Sequence, residues 1–222
     1  DERKKFKSTP KFAPAGKSTQ MIVGASPETD LQIIQVADHF YKNFRMKRVY
    51  YSGYVPVSND ARLPGLGSQV PLVRENRLYQ AEWLMRFYGF KANEILAKNN
   101  PFLDLEVDPK LGWALRNITD FPVTLQTASL EMILRVPGIG VKSAYKIVNA
   151  RKFQNLTLEH LQKIGVATNR AKYFIIVANS NKNLVHLDSV HLKNLIVGDT
   201  KSKFENPFSN QTSLLNDDTF LR

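Results

Sequence analysis

The sequence predicts an α+β fold that is mostly α-helical, in which a βαβ unit is followed by a helical domain. Three observations predict it. Strand and helix patterns alternate between residues 20 and 55, the strand pattern disappears after Arg74, and a compact run of helical spacings occupies residues 128–178. Because 43% of the 222 residues are hydrophobic, the chain can bury a substantial core.

The βαβ unit is predicted from three consecutive patterns. Met21-Ile22-Val23 is a short apolar run that ends at Gly24 and predicts a buried strand. Ser26-Pro27-Glu28 is typical of a helix N-terminus, and helical spacing continues from there to about Phe44. Residues 48–55 are rich in aromatic and β-branched side chains and predict the second strand. One such unit leaves the edges and one face of its parallel sheet open, so further structure is expected to complete it.

Composition divides the chain into five segments. They are a basic arm at residues 1–19, the βαβ unit with an irregular loop at 20–72, a helical connector at 73–127, a second helical domain at 128–178 and a polar tail at 179–222. The connector is expected to hold a helix whose apolar stripe runs from Leu78 to Tyr88 and stops at Gly89, and a shorter helix at residues 109–116. The chain begins with Asp1 rather than Met, which is typical of a fragment or a processed product. At an intact N-terminus the basic segment is expected to be a flexible arm, and in a fragment it is expected to be an interior loop cut from its neighbours.

The charge balance and the absence of cysteine limit the possible functions. The 31 Lys and Arg residues outnumber the 20 Asp and Glu residues, which gives a net charge of +11. This charge favours a polyanion partner, of which nucleic acid is the commonest. Without cysteine the chain has no disulfide, no cysteine nucleophile and no thiolate ligand for zinc or an iron–sulfur cluster. We therefore expect no cofactor to be bound by this chain alone.

Neither a membrane partner nor a metal site is predicted. No apolar run approaches the length of about 18 residues that a membrane span requires, and no signal peptide follows the basic start, so we expect a cytoplasmic protein. The histidines show no pair at the i, i+4 spacing of a helical metal site: they are His39, His160, His186 and His191.

The sharpest motif is Leu-Arg-Val-Pro-Gly-Ile-Gly-Val-Lys-Ser-Ala at residues 134–144. A helix from about residue 128 to 135 is expected to meet a glycine turn and then a second helix, whose first amides point outward where an anion is favoured. The motif resembles the helix-hairpin-helix of DNA repair and replication proteins, which implies contact with DNA backbone phosphates without base recognition. A hairpin that binds no ligand is the alternative. The predicted DNA-binding residues are Pro137, Gly138, Ile139, Gly140, Lys142, Ser143, Lys146, Arg170 and Lys172.

A related pattern at residues 158–175 predicts a second, degenerate hairpin packed beside the first. Apolar residues at helical spacing precede Gly165, and Arg170 is expected to open a helix that continues through residues 173–175. Residues 130–175 contain eight Lys or Arg residues and two acidic ones, a local charge of +6. Such a run is often only a solvated helix face, but the glycine turns in the same window favour phosphate contact.

Two glycine segments near the N-terminus are weaker candidates for a ligand site. Gly16-Lys17-Ser18 matches the end of a nucleotide-binding P-loop, but that motif requires glycine where Lys11 stands and a helix where a strand is predicted. The turn at Gly24 follows a predicted strand, at the sheet edge where parallel α/β folds usually bind ligands. An ordinary strand-to-helix turn is the alternative.

Several segments together resemble the family of DNA modification or repair radical SAM proteins: residues 16–25, 48–51, 77–83 and 86–90, together with the hairpin. The resemblance spans about residues 12–178. It implies that residues 20–72 are the terminal part of a partial (βα) barrel and that Gly24 and Glu28 border an S-adenosylmethionine pocket. It also implies that the three-cysteine motif for a [4Fe–4S] cluster lies upstream of Asp1 or has been lost.

The leading hypothesis is therefore the DNA-binding C-terminal part of a radical SAM enzyme that acts on DNA. A stand-alone, non-catalytic DNA-binding module is the second. The third is a base-excision glycosylase with Lys142 as nucleophile, although the candidate aspartate, Asp188, lies farther along the chain than that family's pattern requires. Finally, the helically spaced aromatic residues Tyr79, Trp83, Phe87 and Phe90 are expected to lie in the core.

Overall fold

A computed structural model describes residues 13–57, 60–68, 70–178 and 188–204. Its fold is α+β and mostly α-helical, which confirms the predicted class. The chain divides into two compact units, Asp1–Trp113 and Ala114–Arg222, and this division falls within the segment that the sequence assigns to a connector. Most of the predicted basic arm and much of the polar tail lie outside the described residues. Among the helices described, none is long and apolar enough to cross a bilayer.

The first unit is built on the predicted βαβ arrangement. Strands β1 (Ser18–Val23) and β2 (Arg48–Gly53) pair in parallel, with Ser18 opposite Arg48 and Val23 opposite Gly53, and helix α1 (Asp30–Phe44) connects them. Helices α2 (Leu72–Phe87), α3 (Ala92–Ile95) and α4 (Pro109–Arg116) follow, and α4 crosses the division between the units. The bounds predicted for the shorter connector helix are confirmed.

Helix α1 begins later than the sequence predicted. Its N-cap is Thr29, whose hydroxyl accepts the Gln32 N–H (3.3 Å) while the Gln32 side chain accepts the Thr29 N–H (2.8 Å). This reciprocal capping box satisfies two donors that would otherwise be unpaired, so it prevails over the signal at Ser26. The predicted helix start at Ser26-Pro27-Glu28 is therefore wrong by about one turn.

The outer edge of β2 is closed by side chains instead of another strand. Alternate N–H groups of β2 point away from β1, and each donates to an oxygen from α1 or α2. The bonds are Val49 N–H to the Tyr41 hydroxyl (2.8 Å), Tyr51 N–H to the Tyr79 hydroxyl (2.9 Å) and Gly53 N–H to the Glu75 carboxylate (2.6 Å). A strand that extends this sheet must therefore pair with β1.

The predicted aromatic core stripe is wrong for two of its four members. Trp83 and Phe87 are 50% and 44% exposed, with ring centres 4.3 Å apart, whereas Phe90 is buried. The buried face of α2 is instead formed by Leu78, Ala81 and Leu84, which share the helical spacing but lie on the adjacent side of the helix.

The second unit contains short strands that the sequence did not predict. Strands β3 (Val123–Thr124) and β4 (Ile175–Ile176) pair in parallel, through bonds from Val123 N–H to the Phe174 carbonyl (2.8 Å) and from Leu125 N–H to the Ile176 carbonyl (3.1 Å). The helices are α5 (Leu130–Arg135), α6 (Val141–Ala150), α7 (Leu158–Ile164), α8 (Thr168–Ala171) and α9 (Ser189–Phe204), and a 3₁₀ turn occupies Ile118–Asp120. Because β-branched residues 175–176 join this sheet, the predicted helix through residues 173–175 is wrong.

Lys110, in α4, is a buried lysine of the first unit. Its side chain is inside the fold, with Nζ 4.6 Å from the centre of the Tyr88 ring, and the residue is 8% exposed. Burial lowers the pKa of Lys110 to about 7, and the charge of Asp108 acts in the opposite direction. The unfolded chain keeps an ordinary lysine pKa, so between these two values the unfolded state binds more protons than the folded state.

We expect Lys110→Met to stabilise the protein at pH 7 by about 2 kcal/mol, because the buried ammonium is removed while the apolar stem is retained. The gain should shrink as pH rises from 7 and vanish near pH 10.5, where the unfolded lysine also loses its charge. Urea denaturation of both proteins at pH 7 and pH 10 measures this, with exposed Lys98→Met as the matched control. A gain that is the same at both pH values would contradict the burial argument.

Candidate nucleic-acid interface

The Val-Pro-Gly-Ile-Gly sequence forms the turn between α5 and α6. Ser129 caps α5 by accepting the Met132 N–H (3.2 Å). After α5 ends, the Ile139 N–H donates to the Val136 carbonyl (3.2 Å), which closes a β-turn with Pro137 second and Gly138 third. Gly138 has φ +86°, the conformation that the third position of a type II turn requires.

Gly140 then starts the second helix of this hairpin. Its backbone is extended (φ −84°, ψ 165°), and its carbonyl accepts the Ala144 N–H (2.9 Å) as the first bond of α6. A helix leaves its first amides without intrahelical acceptors, and the positive end of its dipole lies at the same place. The amides of Val141 and Lys142 have no acceptor among the described residues. They remain available to an anion.

The second hairpin packs against the first, as predicted. Helix α7 ends at Gly165 (φ +94°), and α8 begins three residues later. The Ala167 N–H donates to the Gly138 carbonyl (3.0 Å), and the Ser143 hydroxyl donates to the Gly165 carbonyl (3.2 Å). The second unit therefore contains two helical hairpins that pack against each other.

Four of the predicted DNA-binding residues contribute to the packing of the two hairpins. Pro137 is buried, Ile139 is 1% exposed and Ser143 is 8% exposed, with its hydroxyl bonded to the other hairpin. At Gly138, an added Cβ would lie 2.7 Å from the Ala167 carbonyl oxygen, so the close approach of the two turns requires glycine. The side chains of Pro137, Ile139 and Ser143 therefore lie inside the unit.

The exposed face of α6 carries the accessible charge. Lys142 and Lys146 are exposed and lie one turn apart on the same side of the helix. Tyr145 (55% exposed) and Asn149 are exposed on that side too, and the sequence analysis missed both. Their spacing of three and seven residues from Lys142 is the signal that identifies them. We call Lys142, Tyr145, Lys146 and Asn149 the α6 face.

Arg170 and Lys172 belong to the second hairpin. Arg170 is half-buried in α8, and its Cβ is 3.4 Å from the position of a Cβ built on Gly138, so its side chain starts beside the first turn. Lys172 follows α8, with Nζ 4.8 Å from the centre of the Tyr173 ring. Both lie in the same unit as the α6 face, and Arg170 lies at the contact between the two turns.

Two of the eight basic residues counted in this segment have structural roles. Arg135 is 6% exposed, and its Nη1 lies 3.2 Å from the Glu131 carboxylate. Nη1 of Arg151 donates to the carbonyls of Leu125 (3.0 Å) and Ala128 (2.6 Å), which fixes the chain before α5. Counting charge along the sequence therefore overstates the charge that this unit presents to a ligand.

Comparison with known proteins shows a similarity to a protein named for Holliday junction branch migration. The Holliday junction branch migration complex subunit RuvA of Natranaerobius thermophilus is 28% identical to this chain over 133 residues. The match covers 58% of this chain and 57% of the relative, so the chain spans little more than half of the relative's length. No protein family model and no solved structure matches the chain. These findings do not support the resemblance to radical SAM proteins.

The predicted cofactor turn after β1 is closed by its own residues. Gly24 has φ +81° and donates its N–H to Glu28 Oε1 (3.3 Å), while the Ser26 hydroxyl donates to Glu28 Oε2. Partial burial acts to raise the pKa of Glu28, but these bonds outweigh it and hold the pKa below its ordinary value. A Val70 methyl group fills the space over Gly24. Both carboxylate oxygens of Glu28 therefore accept hydrogen bonds from within the turn itself.

Two further candidates take structural roles. β1 begins at Ser18, directly after Gly16-Lys17, so no helix follows as a P-loop would require. Asp188, the candidate partner of Lys142 in a glycosylase, accepts the His191 N–H (2.8 Å) at the start of α9. This bond is typical of an N-cap and gives Asp188 a role that needs no catalysis.

Proposed function

We propose that the second unit binds DNA through its backbone phosphates, with little preference for sequence. The observation that carries the proposal is that the unpaired amides at the start of α6 lie at one end of a face with exposed Lys142 and Lys146. The similarity to RuvA, which is named as a subunit of a Holliday junction branch migration complex, supports a DNA partner.

The chemistry of this face suits phosphate rather than bases. A phosphate oxygen accepts backbone amides at a helix start, and the helix dipole adds to the attraction. The lysines add point charges, while Tyr145 and Asn149 offer donors at the same surface. The β-turn between α5 and α6, with Pro137 and Ile139 buried, presents no side chain that could enter a groove.

A DNA-binding module is the function that these observations favour. The glycosylase alternative lacks a supporting contact, because Asp188 caps α9. The wider hypothesis, in which this chain is part of a radical SAM enzyme with S-adenosylmethionine and a [4Fe–4S] cluster, rests on sequence resemblance alone. The proposal of phosphate binding does not depend on it.

Salt dependence tests the proposal directly. Three or four phosphate contacts give a slope of log affinity against log salt of about −3, so affinity should fall about 60-fold between 50 and 200 mM salt. Lys142→Ala should flatten the slope by about one and weaken binding to all sequences alike. Fluorescence anisotropy with two unrelated duplexes over a salt series measures both effects.

Lys98→Ala is the matched control, because Lys98 is an exposed lysine of the first unit. It should leave the slope unchanged. Binding that does not depend on salt, or a slope that Lys142→Ala does not alter, would show that the α6 face is only solvated.

A further inference from the structure

Phe153 is an exposed aromatic residue three positions beyond the last residue of α6. Its side chain is 87% exposed, whereas Phe174 of the same unit is fully buried. A single exposed apolar residue is common on protein surfaces. Phe153, however, lies in the turn that directly follows the helix that carries the exposed lysines of the α6 face.

Helix α6 ends at Ala150, and a tight turn of residues 151–153 follows it directly. Arg151 has helical dihedral angles (φ −63°, ψ −15°), and the Phe153 N–H donates to the Ala150 carbonyl (3.1 Å). Phe153 therefore lies one turn beyond the C-terminal end of the helix that carries Lys142 and Lys146.

The turn that presents Phe153 is held firmly at its base. Besides the two bonds from its guanidinium, Arg151 accepts a bond at its carbonyl from the Gln126 side chain (2.9 Å). Gln126 also accepts the Leu156 N–H (3.5 Å) on the other side of the turn. Exposed Lys152 is adjacent to Phe153. A turn held by these bonds, which carries an exposed lysine and an exposed aromatic residue next to each other in sequence, is suited to a ligand that is both anionic and planar.

We propose that Phe153 stacks on a base that is unpaired or displaced from the duplex, while the α6 face holds the neighbouring phosphates. The inference rests on the proposed function and deepens it, because it assigns the substrate class as DNA with an interrupted base stack. A phenyl ring cannot stack on the bases of an intact duplex, because each base is covered by its neighbours. It can stack on a base that is exposed.

The test compares a plain duplex with the same duplex carrying one unpaired adenine. The protein as it stands should bind the bulged duplex about tenfold more tightly, within the range that base stacking on an aromatic ring provides. Phe153→Ala should make the two affinities equal without changing the salt slope, and Phe153→Trp should keep the preference. Because Phe153 is exposed, its removal should not affect folding, which circular dichroism checks.

The outcomes separate this inference from the proposed function. The stacking role is overturned if binding depends on salt but the preference for the bulged duplex survives Phe153→Ala. It is also overturned if binding depends on salt and the protein shows no preference for the bulged duplex. Loss of salt dependence on both DNAs would instead refute phosphate binding. Phe44→Ala, which removes an exposed ring of the first unit, should leave the preference intact.

Discussion

Gly138→Ala is expected to destabilise the second unit by about 3 kcal/mol and to weaken DNA binding with it. An L-residue at φ +86° is strained by about 1–2 kcal/mol. In addition, the new Cβ would lie 2.7 Å from the Ala167 carbonyl oxygen and 3.2 Å from the Ala171 nitrogen, both of which are backbone atoms. The two hairpins must therefore separate, which breaks the bond between Ala167 and Gly138. Urea denaturation followed by circular dichroism measures the loss, and Gly138→Val should exceed it.

Gly165→Ala is the matched control for this prediction. Gly165 has nearly the same dihedral angle (φ +94°), but the nearest atom to an added Cβ is the Ser143 hydroxyl oxygen at 4.0 Å. Only the conformational strain applies there, so we expect a loss of about 1 kcal/mol. If the two substitutions were equally destabilising, the close approach of the turns would not be what requires glycine at position 138.

Local signals account for what the sequence predicted well. The first hairpin was predictable because Pro137 and Gly138 encode one turn type within four residues, and no distant residue can change that requirement. The βαβ unit was predictable for a similar reason, since its periodicities extend over many residues. The start of α1 was not, because two capping signals only three residues apart compete and the Gln32 side chain decides between them.

Contacts between distant residues account for what the sequence did not predict. Strands β3 and β4 have two residues each and lie about fifty positions apart, so neither produces a periodic pattern. The structural role of Arg151 depends on carbonyls more than twenty residues away. Tyr145 is different, because its spacing from Lys142 was already visible in the sequence.

A buried ion pair connects three segments of the first unit. Asp30, at the start of α1, is 1% exposed; its Oδ1 accepts Arg74 Nε (2.8 Å) and its Oδ2 accepts the Leu103 N–H (2.9 Å). The Arg74 guanidinium also donates to the Glu28 carbonyl (3.4 Å). α1, α2 and the segment near residue 103 therefore meet at one carboxylate, which needs Arg74 to balance its charge.

Arg74→Leu is accordingly expected to destabilise the first unit by about 3 kcal/mol, because it leaves the Asp30 carboxylate buried without a counter-charge. Adding Asp30→Asn to this variant should recover about 2 kcal/mol, since the amide oxygen can still accept the Leu103 N–H while the buried charge is gone. Urea denaturation of the two single variants and the double variant gives the coupling. The exposed pair of Lys42 and Asp38 provides the comparison, and Lys42→Leu should change stability by less than about 0.5 kcal/mol. If Asp30→Asn brings no recovery, Arg74 stabilises the fold by packing, and its charge is not what the first unit requires.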